Sequence, residues 1–269
     1  MGMTFIKKYN KRVDQVDSLL CVGLDSDYEQ LPTKFKNLKE AQFIFNTWII
    51  EQTHQYVSAY KPNIAFYEAR GAKGWQELQL TIQYLREKYP DIPIILDAKR
   101  ADIGSTNQGY VTAFFDELGV DAVTLHPYLG WQALQPFLDR ADKGCIVLCK
   151  TSNPNSGEFQ DLITVNKQRV WEVVAKQVAA KWNSLGNCLL VVGATYPNEL
   201  ARVRQLTGAM TLLVPGIGSQ GGDVKAILEA GLNKEMKGLI INSSRNIIFS
   251  KNPSISAKNL RDEINLYRR

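Results

Sequence analysis

The chain has only two histidines and four cysteines, and neither set is spaced for metal binding. Cys21, Cys145, Cys149 and Cys188 form no C-x-x-C pair and no Cys/His cluster, which excludes the common zinc frameworks and a thioredoxin-like redox pair. All four lie in or beside apolar runs and read as buried free thiols of a reducing compartment. His54, in a helical pattern, and His126, just before Pro127, lack matched ligand spacing and read as structural residues. No apolar run approaches the ~20 residues that cross a bilayer, and the opening MGMTFIKKYNKRVDQ has no long apolar core, so a cytoplasmic protein with no membrane association is expected. Ile6 stands where a myristoylation signal after Gly2 needs Ser or Thr. A basic block is missing too. The 32 Lys and Arg against 27 Asp and Glu leave +5 without an aromatic-interleaved stripe, which argues against nucleic acid and suits a small anionic substrate. No Pro/Gly/Ser-rich linker, composition shift or close repeat divides the chain, so a single domain over 1–269 is expected.

What the chain does have is a 45% hydrophobic composition, enough for a sizeable core, distributed in short runs. Eight of these, at 19–24, 58–61, 94–97, 122–125, 145–149, 189–192, 212–214 and 239–241, have the length of buried strands. Between them lie helical spacings: Ala41, Ile44, Phe45 and Trp48; Trp75, Leu78, Ile82 and Leu85; Val170, Val173, Val174 and Ala175. Strand and helix alternate about once per 30 residues, the rhythm of a parallel sheet with right-handed crossovers. The expectation is an α/β fold, a single (β/α)8 TIM barrel, with its site at the C-terminal ends of the strands. The segment 151–159, TSNPNSGEF, disfavours helix and strand alike and is expected to be a mobile loop over that mouth.

The most informative stretch is IILDAKRADIGST, 94–106. In a strand, side chains two apart share a face, so Asp97 and Lys99 project together while Leu96 and Ala98 point the other way. Asp102 follows in a short loop. Ser105 then has the look of a helix cap, with Gln108 three residues on and Val111, Phe114, Phe115 and Leu118 at helical spacing. Taken alone, D-x-K is a surface ion-pair pattern. At a barrel mouth, Asp25, Lys61, Asp97, Lys99, Ser152 and Arg245 all fall at predicted strand ends, and such convergence points to a site.

Asp97, Lys99, Asp102, Ile103 and Thr106 spell D-x-K-x-x-D-I-x-x-T, which resembles the signature of the orotidine 5′-phosphate decarboxylase family. The likeness continues through CVGLDSD (21–27), AYKPNIAFYE (59–68), CKTSNPNSGEF (149–159), VVGATYP (191–197), VPGIGSQGGD (214–223) and INSSR (241–245), and is closest to the longer, type 2 branch. It implies decarboxylation of orotidine 5′-phosphate to uridine 5′-phosphate in pyrimidine synthesis, with no metal and no organic cofactor. By the same resemblance Asp25 accepts a ribose hydroxyl, Lys61 lies beside Asp97 at the ribose edge, and Ser152 reads the pyrimidine amide. Asn153 and Pro154 depart from the serine-rich loop of shorter relatives, and a Ser152 hydroxyl bonded to its own backbone is the competing reading. The phosphate falls to Pro215, Gly216, Gln220, Ser244 and Arg245, the glycines admitting backbone N–H groups and Arg245 offering a fork of donors. The family also pairs barrels face to face, which implies a homodimer whose Asp102 and Thr106 reach the neighbour's site.

The chemistry asks for such a set. Loss of CO2 from C6 leaves a carbanion in the ring plane with no adjacent electron sink, so electrostatics must stabilise it. Lys99 is the expected cation and proton donor, with Asp97 and Asp102 holding it and Lys61 completing a set of alternating charges that keep one another ionised. Two other readings remain: a Mg2+-dependent sugar-phosphate decarboxylase or aldolase of the same superfamily, and a non-catalytic phosphate-ligand sensor. The DIGST continuation and the TSNP loop disfavour the first, and the intact charged tetrad the second.

Overall fold

The structure is a computed structural model that describes residues 3–217 and 223–268. Its strands are β1 Leu20–Gly23, β2 Ala59–Lys61, β3 Ile95–Arg100, β4 Ala122–Leu125, β5 Gly144–Lys150, β6 Cys188–Val192, β7 Leu212–Pro215 and β8 Leu239–Ser243. They form one eight-stranded sheet in the order β2-β1-β8-β7-β6-β5-β4-β3, every named pairing parallel. The bridges Tyr60↔Ile94 and Asn63↔Asp97 join β2 to β3 and close the ring. With helices between the strands, this is the expected (β/α)8 barrel.

All eight expected strands are present, but β3, β5 and β8 run further than their apolar runs suggest, to Arg100, Lys150 and Ser243. The reason is that polar side chains at the mouth still hydrogen-bond through their backbones, which a hydrophobicity pattern cannot register. The other end is plugged. Helix Phe5–Val16 lays Phe5, Tyr9 and Val13 into the core, and the Tyr9 hydroxyl donates to the Leu239 carbonyl at 2.7 Å. All four cysteines are buried free thiols, as expected. No helix among the described residues is long and apolar enough to cross a membrane.

Two local expectations need correction. The helix after the motif is Gly104–Val111 with Ile103 at its N-cap, so Ser105 lies inside it. Asn107 closes the turn instead: its carbonyl oxygen accepts the Asp102 N–H at 2.9 Å and its amide donates to the Asp102 carbonyl at 2.7 Å. A buried amide with a donor and an acceptor satisfies both main-chain groups, which a serine hydroxyl reaches less well. Val111, Phe114, Phe115 and Leu118 are buried as expected, the last three on a π-helical continuation, Thr112–Leu118. Further on, of the expected Val170, Val173, Val174 and Ala175 only Ala175 is fully buried; the seam of helix Val170–Gln177 runs through Trp171 and Ala175 and continues at Val178 and Trp182 of the π-helical stretch Val178–Trp182, at ordinary helical spacing.

Behind β1 and β2 the packing is polar. Helix Ala41–Thr53 has no side-chain cap of its own, and the Glu77 carboxylate accepts the Gln42 and Phe43 N–H groups at 2.6 and 3.1 Å. Asn46 donates to the Tyr67 hydroxyl at 2.9 Å, and that hydroxyl donates to the Leu24 carbonyl at 2.9 Å. Tyr67 thereby fixes the chain immediately before Asp25. Tyr67→Phe should lower unfolding free energy by about 1–3 kcal/mol, the cost of a buried acceptor left without its donor. Urea unfolding with an unchanged m value would measure it, and unaltered stability would show that the hydroxyl supports nothing.

Candidate active site

In the parallel ladder Gly23 lies beside Lys61 and Ile95 beside Ala122, and two residues on from Ile95 and Ala122 the strands present Asp97 and Thr124 on that same inner face. Lys61 ends β2, and its ammonium meets Asp97 Oδ2 at 2.9 Å. Lys99 Nζ meets Asp97 Oδ1 at 2.6 Å. The shared face expected for Asp97 and Lys99 is therefore present, although β3 shifts register between Leu96 and Arg100 and Lys99 sits at φ 47°. The Asp97 backbone is held as well, its N–H donating to Pro62 at 2.9 Å and its carbonyl accepting from Ile64 at 3.3 Å.

Burial works against charge on both members of the inner pair, and proximity overrides it. Desolvation alone would lift the Asp97 pKa, but Lys61 and Lys99 hold the carboxyl below its usual range. Desolvation would depress Lys61, but Asp97, then Asp25, push it above the usual lysine value. The two lysines differ in access: the Lys61 side chain is 4% exposed and that of Lys99 49%, so only the second faces the opening.

On the neighbouring strand, β1 ends at Gly23, where a Cβ would come within 1.8 Å of Ser244 Oγ and 3.3 Å of Asp25 Oδ1. Only glycine lets these groups converge. Asp25 Oδ1, Ser244 Oγ and Asn242 Oδ1 are buried with no hydrogen-bond partner among the described residues, acceptors suited to a ligand that carries hydroxyl donors. Pro215 ends β7 and is followed by Gly216 at φ 102°, a backbone that side-chain-bearing residues rarely adopt. Next to it, beyond β8, Arg245 opens a helical turn, Arg245–Ile248, exposed and with no ion pair among the described residues. Gln220, with Gly218, Gly221 and Gly222, lies outside the described residues.

A family model described as "Orotidine 5'-phosphate decarboxylase / HUMPS family" matches residues 18–260. The chain is 45% identical over 272 residues to the orotidine 5′-phosphate decarboxylase of Janthinobacterium sp., covering 98% of this chain and 99% of that one. Among solved structures it is similar to Leishmania donovani OMP decarboxylase, with a TM-score of 0.89, 42% identity and 99% of each chain covered. A Leishmania donovani UMP synthase superposes with a TM-score of 0.91 and 44% identity over 99% of this chain and 57% of that one.

The chain belongs to the orotidine 5′-phosphate decarboxylase family. Its activity is that of a carboxy-lyase of pyrimidine biosynthesis.

Within this decarboxylase, the loop after β5 is framed rather than loose. Gln160 accepts the Thr151 N–H at 3.0 Å and donates to the Thr151 hydroxyl at 2.8 Å, and Gly157–Gln160 is a helical turn where irregular chain was expected through Phe159. Ser152 packs against Gly193, where a Cβ would lie 2.6 Å from that of Ser152. Beneath, buried Lys150 pairs with Asp161 at 2.8 Å, and Arg169 meets the same carboxylate at 3.3 Å. Asp102 is not in the cluster: its Oδ1 accepts the Ile103 N–H at 2.6 Å, and it has no ion pair among the described residues. Thr106 is exposed on the following helix, beside Ile103 at 59% exposure. Three of the four expected charges thus meet within one chain.

Sequence reasoning passed over Lys150 and Thr124. Thr124 was findable, since it stands two residues after Ala122 on the inner face at the C-terminal end of β4. Asp97→Asn should leave Lys61 buried without its countercharge and destabilise the fold by about 3–5 kcal/mol. Because the folded carboxyl titrates below its unfolded value, that stabilisation is complete above the ordinary carboxyl pKa and lost as pH falls through the depressed one. The wild-type advantage should therefore be full from roughly pH 5 upward and shrink only in strong acid. Denaturant midpoints of both proteins across the acid range test this, and a gap that closes already near pH 5 would contradict it.

Proposed function

We propose that the barrel mouth converts orotidine 5′-phosphate to uridine 5′-phosphate with Lys99 as the cation facing C6 and the proton donor. The observation that carries this is the carboxylate of Asp97 between two lysines, of which Lys99 alone reaches the opening. As the C6–carboxylate bond breaks, its electron pair stays on C6 and CO2 departs. The ammonium of Lys99 stabilises the growing negative charge, then transfers a proton to C6, and the neutral amine regains one from solvent. Asp97 and Lys61 fix the direction from which that charge arrives.

The remaining residues divide the substrate between them. Asp25 offers an acceptor to a ribose hydroxyl with Lys61 at the same edge, and Ser244, beside Asp25 across Gly23, belongs to the phosphate end. Gly216 and Arg245, at adjacent strand ends, suit the phosphate, where Pro215 shapes the turn and Gln220 adds an amide donor. Ser152 faces the pyrimidine from its framed loop. Asp102 and Thr106 complete the site of a second barrel in a homodimer, a reading supported by their exclusion from the cluster of their own chain and by the exposed Ile103 between them.

Loss of orotidylate absorbance measures the reaction. Lys99→Ala should lower kcat and kcat/KM together by about a thousandfold or more, the mark of an interaction made in the transition state. Near-normal turnover would remove Lys99 from the chemistry.

The shared site has its own test. Lys99→Ala and Asp102→Ala chains, each inactive alone, should regain about a quarter of wild-type activity when co-refolded, since random pairing makes about half the dimers mixed with one intact site each. No recovery in verified mixed dimers would place Asp102 in its own chain's site.

A further inference from the structure

The backbone of Lys99 is unusual for a residue at the end of a strand. It is a left-handed residue with a long side chain, at φ 47°, in the irregular end of a strand. That conformation costs an L-residue roughly 1–3 kcal/mol and persists only where its surroundings enforce it. The enforcing contact is Thr124, on the neighbouring strand and 1% exposed.

The Thr124 hydroxyl accepts the Lys99 backbone N–H at 2.9 Å. A main-chain N–H can only donate, so the single hydroxyl proton is free to go elsewhere, and Asp97 Oδ1 lies 2.8 Å away to accept it. The same Oδ1 receives the Lys99 ammonium at 2.6 Å. A closed ring results: Lys99 main chain to Thr124, Thr124 to Asp97, Asp97 back to the Lys99 side chain. Both ends of one lysine are tied through one carboxylate oxygen and one hydroxyl. A half-exposed lysine with four rotatable side-chain bonds would otherwise sample many directions at little cost.

We propose that Thr124 is a positioning residue for the decarboxylation, its hydroxyl locking the left-handed Lys99 backbone and the Asp97 carboxylate so that the Lys99 ammonium is aimed before substrate arrives. The inference rests on the assignment of Lys99 as the cation facing C6. Thr124 touches neither substrate nor proton in this scheme; it sets the geometry of the groups that do. Its effect falls on the chemical step and not on substrate capture, because the phosphate and ribose groups lie on β7, β8 and β1, across the barrel from β4.

The test compares Thr124→Val, which keeps the shape and removes the hydroxyl, with Thr124→Ser, which keeps the hydroxyl and removes the methyl. Thr124→Val should lower kcat about 10- to 100-fold, the scale of a misaligned reacting group, while KM and the affinity for uridine 5′-phosphate stay near wild type. Thr124→Ser should remain within a few-fold of wild type in kcat. If Thr124→Val does not give folded protein by circular dichroism, Thr124→Ala is compared with Thr124→Ser under the same criteria. Undiminished kcat in the hydroxyl-free variant overturns the proposal, as does an equal loss in the serine variant, which would assign the effect to methyl packing. Lys99→Ala, assayed alongside, separates the two claims: activity retained there removes the parent assignment, whereas activity lost there but kept in Thr124→Val removes only the role of Thr124.

Discussion

The mouth is organised by one buried carboxylate. Asp97 is taken out of water at the end of β3 and stays ionised only because a lysine stands on each oxygen. Burying such a pair does not by itself stabilise a protein, since desolvation of the two charges consumes most or all of the Coulombic gain. What the arrangement secures is direction, and it does so at a particular place. β2 and β3 meet through the bridges Tyr60↔Ile94 and Asn63↔Asp97 rather than through a ladder of consecutive pairs. The Lys61–Asp97 ion pair crosses that seam. The contact that arranges the charges therefore also ties β2 to β3 where the ring closes.

Rigid surroundings keep those charges in place from behind. At the far end, helix Phe5–Val16 fills the barrel floor with Phe5, Tyr9 and Val13, so the opening is left at the other end. Outside β1 and β2, buried Gln42, Asn46, Glu77, Thr81 and Tyr67 bond to one another and to the backbone near Asp25. Such a network is stable because nearly every member has its partner, and a satisfied network specifies one geometry where an apolar interface permits several. The loop after β5 follows the same logic, with Lys150 and Asp161 beneath and Gln160 across it.

The barrel was legible because its strands are short, apolar and separated by helical spacings, a signal each strand carries alone. So was the inner pair, since Asp97 and Lys99 share a face by simple alternation even though the strand is irregular there. What stayed hidden depends on neighbours that sequence does not list side by side. The cap expected from Ser105 was supplied by Asn107, the helix at 170 turned Trp171 rather than its valines to the core, and Thr124 joined the cluster from another strand. Asp102 carries the same lesson for the tetrad: spacing placed it near Lys99 along the chain, but the turn closed by Asn107 ties it to its own loop.

The use of two lysines for one carboxylate has a chemical consequence. In the proposed reaction Lys99 gives up a proton and becomes a neutral amine, which removes one of the two countercharges of Asp97. Were Lys99 alone, that step would strand a buried carboxylate and raise the energy of the state being formed. Lys61 prevents this, because it is buried and held charged by Asp97 and Asp25. One lysine is thus the permanent countercharge and the other the expendable one. The division follows from exposure alone: the lysine at the end of a regular strand is enclosed, and the lysine turned outward by a left-handed backbone reaches the opening.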